Sequence, residues 1–326
     1  SLYDFENRKG LFPGVHRSYK FCLLTFTGPE RRAKAAEFAF FCHNTSDLAD
    51  PERRFTLSPE DLRLVNPNTR TAPIFRTRHD AELTKHIYRR VPVLVEEAKG
   101  AAGNPWGVEF LRMFDMANDS HLFRTREELE GAGFHLEGNV FLRGGERYLP
   151  LYEAKMVHQF DHRFGDYRDQ PPGSRDTQLP EVPLERLADP DYRVLPRYWV
   201  HEREVEERLA GRWDRGWLLG WRRITNATNE RTVIAAVIPR VGVGDSYFLM
   251  LTSRDDAIAA LLPAVLSCFV FDFAARQKLG GTNANFFFME QLPVLAPGAF
   301  DRPCPWSPGE TLADWIRPRV LELTYT

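Results

Sequence analysis

The sequence lacks the short motifs that define several common enzyme classes. It contains no G-x-G-x-x-G or Walker A loop for a nucleotide, no G-x-S-x-G nucleophile elbow, and no Asp/Asn-Pro-Pro-aromatic tetrapeptide. These absences argue against a self-contained enzyme that carries its own cofactor. Long apolar runs are also missing. The longest uncharged one, 257–271, is interrupted by Pro263 and is shorter than the roughly 20 residues of a membrane span. We therefore expect no membrane segment.

Cysteine is scarce and scattered. Cys22, Cys42, Cys268 and Cys304 form no C-x-x-C pair, which excludes a recognisable disulfide framework or structural zinc site. With no secretory signal peptide, the spacing predicts reduced, buried thiols in a cytoplasmic protein. The 43% hydrophobic and 13% aromatic content is enough for a sizeable core, so a wholly disordered chain is excluded.

The charge is nearly balanced overall but unevenly distributed. Basic residues number 43 and acidic residues 45, which argues against a simple polybasic arm for nucleic acid. However, residues 1–34 hold seven basic and three acidic residues, and residues 212–240 hold six arginines and two acids. Residues 176–191 are acidic. This separation is typical of a protein with one nucleic-acid-binding face, although the solvated faces of other proteins also vary this much.

The hydrophobic pattern predicts a mixed α/β and α+β fold. Apolar or β-branched runs predict strands at 17–26 (buried on both faces), 107–113, 139–142, 217–224, 232–238 and 248–251. Capping signals and apolar spacing predict helices from Ser58, over 79–88, over 205–209 and, as one long helix, over 255–273. Segment 33–41 fits either a strand or a helix, and 286–289 a strand or a turn. Six prolines predict an exposed linker over 169–196.

Two polar segments are candidates for contact with DNA. The first, Arg222–Arg231, lies between two predicted strands and is dense in arginine, asparagine and threonine, the side chains that read base edges and phosphates. An ordinary surface hairpin is the alternative. The second, Arg276–Asn285, follows the long predicted helix. Gly280 and Gly281 fit a left-handed helix cap, but a glycine-rich turn also lets backbone amides approach phosphate.

Two further patterns fit metal chemistry. Glu153-Ala-Lys155 matches half of a metal-dependent nuclease core, for which Asp115 or Asp119 could supply the upstream carboxylate. His158 and His162 have a spacing found in helical zinc sites, but no third ligand is evident, and structural histidines are the alternative.

Six blocks along the chain, taken in order, carry a resemblance to a known family. They are Phe5–Phe26, Thr71–Leu83, Asn104–Gly107 with Met113–Ser120, Leu151–His162, Trp217–Pro239 and Ala275–Pro293. Each block alone is a weak signal, but the six in this order are fairly specific. Together they resemble the C-terminal part of large adenine-specific DNA methyltransferases, the single-chain type IIG restriction–modification enzymes and their phage-defence relatives.

The resemblance implies the last strands of a methyltransferase sheet in residues 1–28, followed by a mixed α+β target-recognition region over 29–168. The Pro-rich linker 169–196 then leads to a C-terminal recognition subdomain over 197–326. The parent protein would transfer a methyl group from S-adenosylmethionine to adenine N6 after base flipping. Its cofactor and catalytic motifs would precede Ser1, so no cofactor or catalytic residue is expected here. The partners would be double-stranded DNA and the catalytic domain of the same protein.

The combined hypothesis is sequence-specific DNA recognition on behalf of such an enzyme. The alternatives are a metal-dependent nuclease that uses Glu153 and Lys155, and a non-catalytic protein-interaction domain. The candidate DNA contacts are Arg223, Asn226, Asn229, Arg231, Lys278, Thr282, Asn283 and Asn285, with Arg76, Arg78, Lys155 and His158 as secondary candidates.

Overall fold

A computed structural model describes residues 1–28, 30–31, 33–171, 174 and 178–325. Their fold mixes α-helices with several β-sheets. The strands are β1 (Leu2–Glu6), β2 (Lys20–Leu24), β3 (Ala36–Cys42), β4 (Phe55–Leu57), β5 (Val108–Leu111), β6 (Phe123–Arg124), β7 (His135–Glu137), β8 (Val140–Arg143), β9 (Glu146–Tyr152), β10 (Trp199–His201), β11 (Trp217–Arg222), β12 (Ala235–Pro239), β13 (Gly242–Val243) and β14 (Tyr247–Thr252). The α-helices are α1 (Pro59–Val65), α2 (Arg78–Tyr88), α3 (Arg126–Gly131), α4 (Leu184–Leu187), α5 (Glu202–Leu209), α6 (Asp256–Ala259), α7 (Leu262–Ser267), α8 (Phe269–Arg276), α9 (Phe286–Glu290) and α10 (Leu312–Thr324).

The chain divides into two compact units, and each unit is made of more than one segment of the chain. Unit 1 comprises Ser1–Asn104, Phe273–Gly281 and Phe286–Ala296. Unit 2 comprises Pro105–Asp272, Thr282–Asn285 and the residues from Pro297 onward. This division concerns compactness alone, and the boundaries of catalytic and recognition regions that the resemblance implies stay predictions.

Unit 1 is built on a four-stranded sheet with the order β2-β1-β3-β4. β1 pairs with β2 in antiparallel fashion and with β3 in parallel fashion. The predicted strand at 17–26 is present as β2, but the expectation that it is buried on both faces is wrong. β2 lies at the sheet edge, and Leu23 and Leu24 are more than half exposed. Its apolar composition resembles that of a central strand, yet the strand has a neighbour on one side only.

The helices of unit 1 begin where their capping residues predict. Ser58 accepts a hydrogen bond from the Asp61 amide while the Asp61 carboxylate accepts one from the Ser58 amide, and Pro59 occupies the first turn of α1. Thr77 caps α2 in a similar way through Asp80. The segment at 33–41, left open between helix and strand, forms β3.

Unit 2 contains two sheets around one large apolar core. One has the order β6-β10-β9-β8-β7, with β13 beside β9, and the other has the order β12-β11-β14-β5. The strands predicted at 107–113, 139–142, 217–224, 232–238 and 248–251 correspond to β5, β8, β11, β12 and β14, and the helix at 205–209 to α5. Gly220 in β11 is required by close packing, because a Cβ there would lie 2.4 Å from the Phe248 carbonyl oxygen.

The long helix predicted over 255–273 is wrong. The segment forms α6, α7 and α8, and Cys268 between the last two has an extended backbone (φ −76°, ψ 153°). Pro263, which has no amide hydrogen, lies in the first turn of α7. The break changes the direction of the apolar stripe. Leu262 and Val265 are buried as expected, whereas Phe269 is 80% exposed.

Three other local predictions need correction. Segment 286–289 forms the helix α9 rather than a strand or a turn. Gly280 and Gly281 have no positive φ, so they do not form the expected left-handed cap. The expectation of an exposed connection over 169–196 is wrong for Leu179, Val182 and Val194, which pack in the core of unit 2. Residues 172, 173 and 175–177 of that stretch lie outside the described part of the chain.

The cysteines and the apolar helices complete the description. All four thiols are free, but only Cys42 and Cys304 are buried, and Cys22 and Cys268 are exposed, so the expectation of four buried thiols is half right. Among the described residues no single helix has the length and apolarity of a membrane span. The consecutive helical stretches Asp256–Ser267 and Phe269–Arg276, taken as a bent pair, meet those criteria by length and composition alone.

Candidate nucleic-acid interface

The two candidate DNA-binding segments, distant in sequence, lie side by side in unit 2. The Thr225 amide donates to the Thr282 carbonyl (3.0 Å), and the Ala284 amide donates to the Arg223 carbonyl (2.8 Å). Ile224 and Asn283 form an antiparallel bridge between these two contacts. Residues 282–285 therefore pair side by side with the segment that follows β11. We call residues 222–231 and 282–285 together the polar surface.

Buried groups hold the polar surface from beneath. The Trp221 indole Nε1 donates to the Ala284 carbonyl (2.8 Å), which ties segment 282–285 to β11. The Thr225 hydroxyl donates to the Thr232 carbonyl (2.6 Å) and closes the base of the connection between β11 and β12. Asp272 is buried, and its Oδ1 accepts hydrogen bonds from the amides of Thr232 (2.7 Å) and Val233 (3.0 Å). The connection is thus fixed at both ends.

The short polar side chains of this surface face solvent. Asn226, Asn229, Thr282 and Asn283 are exposed, while Asn285 is half-buried. The Asn226 carboxamide oxygen accepts hydrogen bonds from the amide and hydroxyl of Thr228, each at 3.0 Å. This is the turn chemistry expected of an ordinary hairpin, and it leaves the Asn226 amide group able to donate outward.

Three arginines form the basic part of the polar surface, and each keeps a buried N–H donor with no hydrogen-bond partner among the described residues. These donors are Arg222 Nη2, Arg223 Nε and Arg231 Nη1. Arg223 pairs with Asp245 (3.3 Å), and Arg222 donates to the Val157 carbonyl (2.7 Å). Burial lowers the pKa of Arg222 from its usual range. An unpaired buried donor costs about 1–3 kcal/mol, so these three N–H groups add a cost of burial and are not themselves accessible to a ligand. What the three arginines offer to a ligand is their positive charge and their remaining N–H groups.

Segment 153–158 borders the polar surface. Besides the contact between Arg222 and Val157, the Ala154 amide donates to the Ser246 hydroxyl (3.0 Å), while the Ser246 carbonyl accepts from the Arg223 amide (2.8 Å). His158 is partly buried, and its pKa is lowered, first by burial and then by the neighbouring Arg222. His158 therefore lies beside the polar surface, and its lowered pKa favours the neutral imidazole.

Glu153 and Lys155 both contact Tyr167. The Tyr167 hydroxyl donates to Glu153 (2.7 Å), the Lys155 ammonium lies 4.8 Å from the Tyr167 ring centre, and it is 4.0 Å from the Glu153 carboxylate. Burial, and then the charge of Glu153, raise the pKa of Tyr167. Both charged side chains thus have local partners in unit 2.

The carboxylates and histidines with possible metal chemistry have other local partners. Asp115 and Asp119 accept hydrogen bonds within their own turn, and Asp119 pairs with Arg208 (3.4 Å). His158 and His162 flank a tight turn instead of sharing a helix, and burial followed by two nearby arginines lowers the pKa of His162 to about 4. Among the described residues no group of three or more His, Cys, Asp or Glu side chains is placed to hold a metal ion. The nuclease alternative stays a prediction.

The remaining candidates, Arg76, Arg78 and Lys278, belong to unit 1. Arg76 is exposed and stacks over the Phe41 ring (4.3 Å), and Arg78 is exposed at the start of α2. Lys278 donates to the carbonyls of Val65 (2.6 Å) and Gln291, and its ammonium lies 4.6 Å from the Tyr88 ring centre. Burial lowers the pKa of Lys278 far below its usual range. This placement favours a structural role for Lys278 over the predicted DNA contact.

Sequence reasoning missed several residues on which the polar surface depends. Asp272 was hidden inside an apolar helix pattern, although a lone carboxylate in such a stretch is itself a signal of a buried partner. Trp221 and Ser246 form hydrogen bonds with backbone groups far away in sequence, and no local sequence pattern predicts such contacts. Two comparisons with known proteins add no assignment, since no protein-family model matches the sequence and no curated protein matches it significantly.

Proposed function

We propose that the chain recognises double-stranded DNA on behalf of an adenine-specific DNA methyltransferase. The observation that carries this proposal is the assembly of two Arg-, Asn- and Thr-rich segments, some 50 residues apart in sequence, into one polar surface. Arginine matches the acceptor edge of guanine, and asparagine matches adenine, so this set suits direct reading of bases. The adenine-methyltransferase part of the proposal rests on the sequence resemblance alone.

The resemblance further implies that DNA recognition and cofactor binding belong to different parts of the protein. The 326 residues would position the duplex, and S-adenosylmethionine would be bound by another part of the protein, in the cytoplasm. Equilibrium dialysis of the chain against labelled S-adenosylmethionine tests this division. We expect no tight binding, and a tight complex would refute the assignment of the cofactor site to another part of the protein.

DNA binding is tested by fluorescence anisotropy with short labelled duplexes drawn from a random-sequence library. We expect an affinity that falls steeply with salt. A variant that loses one phosphate contact should show a slope of log K against log salt that is less steep by about 0.9. Arg223→Ala should reduce affinity, whereas Arg203→Ala on α5, which removes the same charge outside the polar surface, should not. Absence of salt-sensitive binding by the wild-type chain would refute the proposal and favour the protein-interaction alternative.

Base reading is tested separately by sequencing the duplexes that remain bound after repeated selection. Asn226→Ala and Asn229→Ala should each relax the preference at one position, by about 1–3 kcal/mol of discrimination. Asn118→Ala, at an exposed asparagine in another turn of unit 2, should leave the selected sequence unchanged. If all three variants select the wild-type sequence, these asparagines do not read bases.

A further inference from the structure

An exposed aromatic ring borders the polar surface. Phe269 opens α8 and is 80% exposed, and the following Val270 is 53% exposed. The extended backbone of Cys268 turns this end of the helix out of the core that holds Leu262 and Val265. Single exposed apolar side chains are common on protein surfaces, so this exposure alone assigns no partner, and the contacts around the ring must do so.

The ring is attached to the polar surface by specific contacts. The Arg231 guanidinium lies 4.4 Å from the centre of the Phe269 ring, and Arg231 Nη2 donates to the Ser267 carbonyl (3.2 Å) just before it. One turn further along α8, Asp272 accepts from the amides of Thr232 and Val233. The start of α8 is therefore joined to the connection between β11 and β12 by two sets of contacts, those of Arg231 and those of Asp272.

The surroundings of the ring favour a nucleobase over an apolar protein surface as its partner. An apolar partner would have to cover the cationic Arg231 that lies against the ring. A base step of duplex DNA offers both a π-face for the ring and acceptors for the guanidinium, on the base edge or the adjacent phosphate. Ile224, on the same polar surface, is 48% exposed.

We propose that Phe269 inserts at one base step of the bound duplex and stacks on a nucleobase, with Arg231 supporting the ring from its other face. Apolar side chains inserted in this way partly unstack and bend the duplex. The inference rests on the proposed DNA recognition and adds a site of DNA deformation to it. Cys268, Phe269 and Arg231 are the residues that build the site.

The first test compares affinity with salt dependence. Base–aromatic stacking predicts that Phe269→Ala weakens binding of the selected duplex about 5- to 140-fold while leaving the salt slope unchanged, because no phosphate contact is lost. Phe269→Trp should restore most of the affinity. Leu184→Ala, which removes an apolar side chain of equal exposure (79%) on α4, is the matched control and should bind as the wild type does.

The second test places 2-aminopurine at successive positions of the selected duplex. Wild-type chain should raise its fluorescence at one step, Phe269→Ala should abolish the rise, and Arg231→Lys, which keeps the charge without the planar group, should reduce it. If the wild type binds but Phe269→Ala binds equally well and keeps the signal, the insertion is refuted while DNA recognition stands. If the wild type binds no duplex, DNA recognition itself fails.

Discussion

Replacement of Asp272 by alanine should destabilise the connection between β11 and β12, because this one buried side chain accepts two of its backbone hydrogen bonds. One carboxylate oxygen accepts hydrogen bonds from two backbone amides at 2.7 and 3.0 Å, and the residue is only 5% exposed, so bulk water does not reach these amides. Leaving two buried amides unpaired costs about 1–3 kcal/mol each, which gives an expected loss of about 2–6 kcal/mol in the free energy of unfolding. Asp272→Asn keeps an acceptor without the charge, and we expect a smaller loss of about 1–3 kcal/mol.

Urea unfolding followed by tryptophan fluorescence measures this loss in the relevant part of the chain. All seven tryptophans belong to unit 2, so the signal reports that unit alone. Asp214→Ala, at an exposed carboxylate of unit 2, is the control and should change stability by less than about 0.5 kcal/mol. Hydrogen exchange of the Thr232 and Val233 amides should accelerate in Asp272→Ala. Unchanged exchange together with a loss below about 1 kcal/mol would show that Asp272 does not fix the connection.

Three further outcomes follow from buried groups. His162, whose pKa falls to about 4 on folding, binds its proton more readily in the unfolded chain, so stability should drop by about 2 kcal/mol between about pH 7.5 and pH 5, and His162→Gln should flatten that slope in urea unfolding. Lys278→Met removes the ammonium donor from the Val65 and Gln291 carbonyls, of which the second keeps a hydrogen bond from the Tyr88 hydroxyl, and should increase hydrogen exchange in unit 1 without altering the salt slope of DNA binding. A smaller salt slope in this variant would show that Lys278 does contact a phosphate. Gly220→Ala should cost about 1–3 kcal/mol in the tryptophan signal because its Cβ would overlap a neighbouring strand, whereas Gly216→Ala, which has open space, should cost far less.

The elements that could be predicted are those whose signals are local. The capping box at Ser58 fixes the start of α1 within a few residues of sequence, and the β-branched run that includes Ile234 and Ile238 marks β12. The failures depend on distant partners. Whether the apolar β2 is central or at an edge is decided by which strands lie beside it, and its own residues are the same in either position.

The candidate site divides in the same way. Chemistry-bearing residues such as Arg223 and Asn226 could be recognised by type, because guanidinium and carboxamide groups suit base edges and phosphates. Their proximity to Asn283 could not, since it depends on one short backbone pairing between segments far apart in sequence. The exposure of Phe269 follows from a single extended residue at Cys268, which helical periodicity does not reveal.

The uneven burial of the cysteines gives each unit one accessible chemical handle. Cys22 lies exposed on β2 in unit 1, and Cys268 lies exposed beside Phe269 in unit 2, while the other two thiols are buried. A maleimide dye on Cys268 would report directly on occupancy of the proposed insertion site. A donor and an acceptor on the two exposed thiols would form a spectroscopic ruler, and its reading with and without duplex would give the displacement between the two units on binding.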